Sequence, residues 1–410
     1  MDTGSIAWGI TATALVLVMT PGVAFFYGGL VKAKSVISMM MMSFGALGLI
    51  SVLWILYGFN MSAVASPTAF AGNPFSDFGL TALSQGESGN TDLLGATYGA
   101  TFAIITVALI SGAIADRAKF GSWMIFAGIF ATIGYFPIAA WVWGGGWIMN
   151  LGTTLFGEDA GIAVIDYAGG TAVHINAGAA ALALALVLGK RVGFQKGIQK
   201  PHNVPLTLLG ASILWFGWFG FNAGAEWLNG LENVGLIVVN TLGATAAAII
   251  GWLIIEKFKD GKATSVGAAS GAVAGLVAIT PACANLTPGW ALVLGVLTGA
   301  VCALAVELKF KLGFDDSLDV VGIHLVGGLV GTLFLGFFAT ETGLFLGGGF
   351  EQLVVQVIAA AAVLLYSFVI AFVVGLAIQK TLGFRVKNED EIAGVDTSVH
   401  GEEGYALEVV

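Results

Sequence analysis

Residues 166–189 read DYAGGTAVHINAGAAALALALVLG, a stretch that is long and apolar enough to cross a bilayer yet carries His174 near its middle. In a helix, the positions three, four and seven residues away from this histidine fall on one face. The side chains at these positions are all small: Gly170, Ala177, Gly178 and Ala181. Small residues on one face let a second helix approach closely or leave room for a lumen. The stretch therefore predicts a transmembrane helix with an ionisable group on its packed face.

The same pattern returns in the second half of the chain. His324 lies 150 residues after His174, and Asp316 lies 150 residues after Asp166. The helical neighbours of the second histidine are again small: Gly327, Gly328 and Gly331. Each half of the chain therefore places an aspartate eight residues before a histidine on a small-faced apolar helix. This spacing predicts an internal repeat whose two histidines mark the functional centre.

Composition places the chain in a membrane. Of its 410 residues, 57% are hydrophobic and 10% are charged, whereas an ordinary soluble domain is about 25% charged. The 60 glycines suit closely packed transmembrane helices. The sequence has no nucleotide-binding motif and no soluble enzyme domain, so we expect no ATP-driven transport, enzymatic activity, cofactor or nucleic-acid partner. Cys283 and Cys302 lie in or beside apolar segments and suggest neither a disulfide framework nor a metal site.

Apolar spans of bilayer length number eleven, and the loops between them predict their orientation. All 16 Lys and Arg residues follow odd-numbered spans. By the positive-inside rule, the N-terminus is outside and the C-terminus inside the cell. The first span is not expected to be a cleaved signal peptide, because no Lys or Arg precedes it. The predicted spans are 7–30, 35–59, 93–115, 121–141, 163–189, 204–221, 233–255, 264–282, 289–308, 320–339 and 352–379.

Five spans per repeat is an odd number, so the two repeats must cross the membrane in opposite directions. Inverted repeats of this kind place the transport site at their interface, near the bilayer midplane. His174 and His324 would then meet in the middle, with Asp166 near the outer mouth and Asp316 near the inner one. We expect an all-α protein with a transmembrane domain (1–383) and a cytoplasmic tail (384–410). The transmembrane domain consists of repeat one (about 7–189), repeat two (about 204–339) and an extra helix (about 352–379).

The polar residues of the spans also allow structural interpretations. A single transmembrane histidine often hydrogen-bonds between helices, but two symmetry-related ones favour a pathway, because ionisable groups at that depth are costly. The pair supplies too few ligands for a zinc site. Asp166 is expected to bond backbone groups at the broken start of its helix rather than to contact a substrate. Solvated cytoplasmic segments are expected to hold the other acids and histidines of interest: Asp315, Asp316, Asp319, His202 and His400.

Aromatic residues cluster at the outer ends of several spans. Trp141, Trp143 and Trp147 follow one another in WVWGGGW, at the end of the fourth span. They fit an interfacial belt, but a tryptophan facing an outer vestibule could also hold a cation over its ring. Phe102 and Phe221 could form a hydrophobic constriction, although spacing alone favours core packing.

Several motifs carry a resemblance to a known family. They occur in order along nearly the whole chain: TFAIITVALISGAIADR, VWGGG, DYAGGTAVHINAG, WFGFNAG, SGAVAGLVAITPAC, DVVGIHLVGG and the tail GFRVKNEDEIAGVDTSVHGEEGYAL. In these segments the sequence resembles the ammonium transporter family (Amt/Mep/Rhesus), and in particular its bacterial members. The resemblance implies a homotrimer of eleven-helix subunits in the cell membrane, each subunit with its own pore. It also implies a PII-type signal protein that docks on the cytoplasmic face and blocks the pores.

The resemblance also implies roles for individual residues. Trp143 matches an aromatic residue of the outer recruitment site, and Phe102 and Phe221 match a stacked gate beneath it. The twin histidines of the family's pore correspond to His174 and His324. Asp166 matches an acid near the pore entrance, and Trp218 an aromatic side chain that lines the pore beside the histidines.

One position departs from the family pattern. Bacterial members usually read FNAGS where this chain reads FNAGA, so Ala225 stands in place of a serine whose hydroxyl helps to hold ammonium. Glu226 follows it, and either points into solvent or compensates by attracting the cation at the outer mouth.

Together these features predict a transporter or channel for ammonium. The cation is recruited at the outer aromatic site and loses a proton, and ammonia passes the Phe gate and the histidine pair. Two alternatives stay open. The changed serine position allows an ammonium sensor, and the hydrophobic pore allows a neutral gas channel of the Rhesus type.

Overall fold

The computed structural model describes residues 2–195 and 200–405, which are helical and contain no strand beyond one isolated bridge between Ala118 and Arg385. Lys196, in the basic loop after the fifth predicted span, lies outside the described residues, as does the end of the tail. The principal helices are α1 (Thr3–Leu30), α2 (Ala33–Met61), α3 (Gly89–Ile114), α4 (Phe120–Val142), α5 (Gly170–Leu188), α6 (Val204–Asn229), α7 (Val234–Asp260), α8 (Ser265–Ile279), α9 (Pro288–Leu312), α10 (Val321–Phe338) and α11 (Glu351–Thr381).

Ten of these helices are long and apolar enough to cross a membrane, which makes the chain a multi-pass membrane protein. The exception within the described residues is α8, with 15 residues, because it ends at Ile279 and is followed by a turn. A second difference is at the start of α5, where residues 163–169 are not helical and the helix begins at Gly170. The total of eleven spans and the orientation of the termini stay predictions.

The first helices of the two predicted repeats pack along each other. At Gly210 of α6, a Cβ atom would lie 2.1 Å from the backbone nitrogen of Phe26 in α1. Glycine is therefore required for this close approach, since real Cβ atoms do not come within 3 Å of backbone atoms. The contact between α1 and α6 joins the two halves of the chain at its centre.

The ends of the odd-numbered helices lie together on one side of the molecule, which we call the basic face. The guanidinium of Arg191, after α5, forms ion pairs of 2.9 Å with Asp315, before α10, and with Asp116, after α3. Arg117 donates to the carbonyl oxygen of Asp315 (2.6 Å) and to the hydroxyl of Ser317 (2.5 Å). The basic loops that alternate along the sequence thus meet in three dimensions.

This network corrects the prediction that Asp315 and Asp316 lie in a solvated loop. Both side chains are buried, because Arg191 neutralises one and the start of α10 donates to the other. Burial by itself would raise the pKa of Asp315, but the hydrogen bonds and charge of Arg191 outweigh it and lower that pKa. Burial raises the pKa of Asp316 above its usual range. Asp319 is half-exposed and pairs with Lys309 at 2.6 Å.

The tail after α11 lies against the basic face. Phe384 is fully buried, and the backbone N–H of Val386 donates to the carbonyl of Arg117 at 2.9 Å. Further along, the carboxylate of Asp396 accepts hydrogen bonds from the N–H groups of Ile37 (3.0 Å) and Ser38 (2.7 Å), at the start of α2. The tail therefore supplies a cap for a membrane helix.

The two histidines of the basic face are partly buried, which corrects the expectation that they are solvated. Nε2 of His202 lies 2.8 Å from the hydroxyl of Tyr405, and its Nδ1 lies 2.8 Å from the carbonyl oxygen of Val31. The ring of His400 packs edge-on against Phe120, at 5.3 Å between centroids. Contacts between the tail and the membrane helices explain both positions.

Candidate functional site: a pore between the repeats

A cavity of about 480 Å³ opens on the face opposite the basic one, and we call it the vestibule. Its walls come from the ends of α2, α3, α4 and α6 and from the residues before α5. Most of the lining side chains are aromatic or small. They are Trp54, Phe59, Ser62, Ala63, Gly95, Tyr98, Gly99, Phe102, Tyr135, Ala139, Trp143, Gly144, Tyr167, Ala168, Ala225, Leu228 and Asn229.

Trp143 is positioned in the vestibule by the end of α4. The helix stops at Val142, and the following glycines allow a tight reversal in which Gly145 has a φ of +86°. The indole Nε1–H donates to the backbone carbonyl of Asp166 at 2.8 Å, which fixes the ring. The sequence segment WVWGGGW therefore places one tryptophan on the cavity wall.

Asp166 lies beside the vestibule but is not among its lining residues. Its buried carboxylate accepts backbone hydrogen bonds of 2.5–3.0 Å from the N–H groups at the start of α5, and one from the hydroxyl of Thr171. The first N–H groups of a helix have no partner inside it, so a carboxylate there satisfies them and suits the helix dipole. The structure thus gives Asp166 the capping contacts that were expected from its position.

Asp316 begins α10 in the same way. Its Oδ2 accepts from the backbone N–H of Val321 at 2.7 Å. Three residues after each acid the backbone takes a positive φ, +119° at Gly169 and +64° at Asp319. The segments before α5 and α10 therefore share a local motif, an acid and a left-handed turn, at the start of the helix that carries the histidine.

Two phenylalanine rings close the vestibule on its inner side. Phe102 of α3 and Phe221 of α6 are stacked, with ring centroids 4.3 Å apart and an interplanar angle of 20°. Phe102 also meets the edge of Trp143 at 6.0 Å, and Phe221 is fully buried. Tyr98, one turn before Phe102, packs against it at 5.0 Å. The arrangement is a narrow apolar barrier between the vestibule and the protein interior.

His174 and His324 meet behind this barrier. Their Nδ1 atoms are 3.2 Å apart, and the rings are nearly parallel, with 5.3 Å between centroids. Each histidine lies in a π-helical turn, Gly170–Ile175 in α5 and Val321–Leu325 in α10. Such turns leave irregular hydrogen bonding and are frequent at functional sites. At the contact between the Nδ1 atoms one ring must donate and the other accept, so the two tautomers are linked.

Small residues let the two histidine helices approach. A Cβ atom at Gly178 would lie 2.4 Å from the backbone nitrogen of Leu325, and one at Gly328 would lie 3.1 Å from the carbonyl oxygen of Gly170. Of the small residues noted in the sequence, Gly178 and Gly328 form the contact between α5 and α10, whereas Gly327 and Gly331 lie against α8. The contact between α5 and α10 brings the imidazole rings within hydrogen-bonding distance.

Trp218 of α6 stacks on His174, with ring centroids 5.4 Å apart and an interplanar angle of 17°. Its indole N–H donates to the hydroxyl of Thr280 at 2.7 Å, and that hydroxyl contacts the amide oxygen of Asn222 at 3.2 Å. The tryptophan is thus held by a polar chain behind it. Nε2 of His174 is buried and has no hydrogen-bond partner among the described residues, which leaves a polar atom free for a guest molecule.

Comparisons with known proteins decide the family. The model of the Ammonium Transporter Family matches residues 7–405. The chain belongs to the ammonium transporter family. It is 50% identical to an ammonium transporter of Mycobacterium tuberculosis, over 100% of this chain and 91% of that protein. It is 39% identical to an ammonium transporter of Bacillus subtilis, over 99% of each.

Solved structures agree with this membership of the ammonium transporter family. Candida albicans Mep2 matches with a TM-score of 0.86 at 31% identity, covering 100% of this chain and 94% of that one. A protein described as Sensor Amt Protein matches with a TM-score of 0.87 at 28% identity, covering 97% of this chain and 98% of that one. The family recognised in the sequence is confirmed, and it is a family of transporters rather than enzymes.

Ala225, the position where ammonium transporters of bacteria usually have serine, lines the vestibule with its methyl group. The adjacent Glu226 is 1% exposed, so the interpretation that it points into solvent is wrong. Its carboxylate accepts from the hydroxyl of Tyr167 and from the backbone N–H of Asn233, the latter at 2.8 Å. Glu226 also does not line the vestibule, but its hydrogen-bond partner Tyr167 does.

Four residues of this candidate site were missed from sequence. Tyr98 holds the end of α6 beside Phe221, because its hydroxyl hydrogen is shared between the carbonyl oxygens of Gly220 (3.0 Å) and Phe221 (3.1 Å). Its position four residues before Phe102 on one helix was a usable signal. The others are Tyr167, Thr280 and Asn222, whose partners come from distant segments.

A metal centre has no support in the described part of the chain, where no group of three His, Cys, Asp or Glu side chains is arranged to hold an ion. A second cavity, of about 280 Å³, opens on the basic face. It is lined by charged side chains, including Lys32, Lys309, Asp116 and Asp319, and by Leu318 near the start of α10. Cavities on both faces thus flank the apolar gate and the histidine pair.

Proposed function

We propose that this protein takes up ammonium across the cell membrane by recruiting the cation in the vestibule, removing a proton and passing ammonia through the apolar centre. The observation that carries the proposal is the stacked Phe102–Phe221 pair directly outside the linked histidines. His174 lies 6.1 Å from Phe221 between ring centroids, so a molecule that passes the gate meets an imidazole at once.

The gate explains how potassium is rejected. Ammonium and potassium have the same charge and similar size, so a cation site alone separates them poorly. Moving any bare cation into an apolar environment costs several kcal/mol or more. Ammonium avoids this cost by giving up its proton before entering, and potassium has no such route. Selectivity therefore comes from the apolar path, and the vestibule needs only a weak cation site, which the ring face of Trp143 supplies.

The histidine pair makes the apolar path passable to ammonia. Each neutral imidazole has one donor and one acceptor nitrogen, so the pair can bind a neutral amine without carrying a fixed charge. The unpartnered Nε2 of His174 is the atom that would meet ammonia first. The proton released by ammonium crosses separately along the linked rings, so uptake carries charge, and each charge gains about 2.3 kcal/mol per 100 mV of membrane potential.

The wider assembly is part of the same proposal. The distribution of basic loops supports eleven spans with the N-terminus outside. Family membership supports a homotrimer with one pore per subunit and a PII-type regulator on the basic face. Native mass spectrometry in detergent would test the trimer. Protease accessibility of the tail in oriented vesicles would test the orientation.

Ammonium-evoked current in proteoliposomes tests the transport mechanism. We expect a saturable inward current with ammonium and none with potassium, while empty liposomes give neither. A sensor without transport would bind ammonium and give no flux. A neutral gas channel would change the internal pH upon ammonium addition without any current. Either result would contradict the proposal.

A further inference from the structure

Tyr167 connects the vestibule to a buried carboxylate. Its side chain lines the cavity, as does Ala225, and its hydroxyl donates a hydrogen bond to Glu226. The second oxygen of Glu226 accepts from the N–H of Asn233 at 2.8 Å. Tyr167 precedes α5 in the first repeat, whereas Glu226 belongs to α6 in the second, so the hydrogen bond crosses the repeat interface.

The carboxylate has few partners for a buried group. Glu226 is 1% exposed, and within the described chain no Lys, Arg or His forms an ion pair with it. A carboxylate can accept about four hydrogen bonds, and the two described here come from Tyr167 and Asn233. Buried carboxylates are usually paired with a cation. A cation in the adjoining vestibule would supply the missing positive charge.

The hydroxyl of Tyr167 is the group that can transmit this charge. A phenol has one donor hydrogen and two acceptor lone pairs. The hydrogen is engaged by Glu226 and the side chain of Asn229 reaches the phenolic oxygen, which leaves one lone pair for a cation. Burial, followed by the hydrogen bond to Glu226, raises the pKa of Tyr167, so the phenol keeps its proton and stays the donor. Donation to a carboxylate polarises the phenolic oxygen and strengthens it as an acceptor.

We propose that the Tyr167 hydroxyl, backed by Glu226, is the hydrogen-bond acceptor for ammonium in the vestibule and replaces the hydroxyl that is absent at Ala225. The inference rests on the proposed function and names the polar contact of its recruitment site. Tyr167 contacts the cation, and Glu226 is a positioning residue that orients and polarises the phenol. Ammonium has four N–H donors, so it can bond the phenolic oxygen while facing the ring of Trp143.

The test compares Tyr167→Phe, Glu226→Gln and Ala225→Ser, together with the double variant that joins Tyr167→Phe to Ala225→Ser. The readout is the ammonium concentration at half-maximal current in proteoliposomes. A hydrogen bond to a charged group contributes about 1.5–3 kcal/mol, so Tyr167→Phe is expected to raise this concentration roughly tenfold or more. The maximal current should change little, because the gate and histidines are intact.

Rescue separates a binding role from a structural one. A serine hydroxyl at position 225 is expected to restore most of the affinity lost in Tyr167→Phe, because it returns an acceptor to the same cavity. Glu226→Gln keeps an oxygen that can accept from Tyr167 and should raise the half-maximal concentration by a smaller factor. Tyr57→Phe is the matched control: it removes a hydroxyl that bonds Thr132 outside the vestibule, and should leave the value unchanged.

The proposal is overturned if Tyr167→Phe stays within twofold of wild type, or if Ala225→Ser fails to rescue it. Both results can be obtained while wild type still carries a selective current, in which case the proposed function stands. If wild type carries no current, the proposed function fails. The affinities of the variants are then compared by the rise in melting temperature that ammonium chloride causes in the purified proteins, with potassium chloride as the control salt. The melting temperature without ammonium shows whether each variant is folded.

Discussion

The Nδ1 atoms of His174 and His324 are 3.2 Å apart, although 150 residues separate them in the chain. Each ring comes from the same position of its repeat, eight residues after a buried aspartate that begins the helix. A symmetric pair with one shared hydrogen bond cannot have two identical tautomers, since one nitrogen must donate and the other accept. The two histidines therefore form a site that is symmetric in its place along the chain and asymmetric in protonation.

Replacement of either histidine is expected to impair this site. In His174→Ala or His324→Ala the remaining ring loses its partner and the apolar path loses a polar contact, so we expect loss of ammonium transport or of selectivity against potassium. The ammonium current in proteoliposomes measures transport, and its ratio to the potassium current measures selectivity. His202→Ala, on the basic face, is the matched control. Unchanged flux and selectivity in both single variants would refute a functional pair.

Gly178→Ala is expected to push the histidine helices apart. The new methyl group would lie 2.4 Å from the backbone nitrogen of Leu325, which cannot move independently of α10. Overpacking of this kind costs about 1–3 kcal/mol, and we expect a lower melting temperature and a reduced ammonium current. Gly48→Ala is the control, because nothing lies within 4 Å of its added Cβ atom and the helix gains about 0.5–1 kcal/mol. Equal melting temperatures for the two variants would contradict this interpretation.

The ion pair between Arg191 and Asp315 predicts a loss of stability in acid. Burial opposes ionisation of Asp315, but Arg191 lowers its pKa overall, so the folded state holds the proton less tightly than the unfolded chain does. The resulting stabilisation is present above about pH 4, the usual pKa of an aspartate. It is lost as the pH falls through the lowered pKa of Asp315.

Melting temperatures measured between pH 7 and pH 3 test this dependence. Asp315→Asn is expected to be less stable than wild type at pH 7, by about 3–5 kcal/mol as for a broken buried pair, with the difference shrinking in acid. Asp159→Asn, at an exposed site, is the control and should follow wild type throughout. A constant difference between Asp315→Asn and wild type would argue against the pair as the cause.

Removal of the tail from Lys387 onward is expected to leave an inserted protein with a loosened basic face. The tail contacts the ends of the membrane helices, where His400 packs against Phe120 and Asp396 caps the first N–H groups of α2. We expect faster hydrogen exchange at Ile37 and Ser38, with unchanged exchange in α5 and α10. Asp396→Asn in the full chain should show a weaker effect at the same amides. Loss of membrane insertion, or unchanged exchange at α2, would contradict the capping role.

Hydropathy alone determined the membrane class and most of the helix positions, and the spacing predicted the repeat. These features are local, because any apolar segment of about 20 residues must leave water and a spacing of 150 residues can be read directly. The small face around His174 likewise predicted a close helix contact, and Gly178 now lies against Leu325. The capping position of Asp166 followed from the broken start of its helix.

Tertiary structure alone decided which polar side chains are buried and with which partners. Glu226 and Asp315 had the appearance of solvated residues, because an acidic side chain beside a loop normally faces water. Tyr167 and Arg191, which reach them from distant parts of the chain, supply the hydrogen bonds and charge that make burial possible. The energy of a buried charge depends on these partners and not on its sequence neighbours, which is why the pairing of Tyr167 with Glu226 appears only in the folded protein.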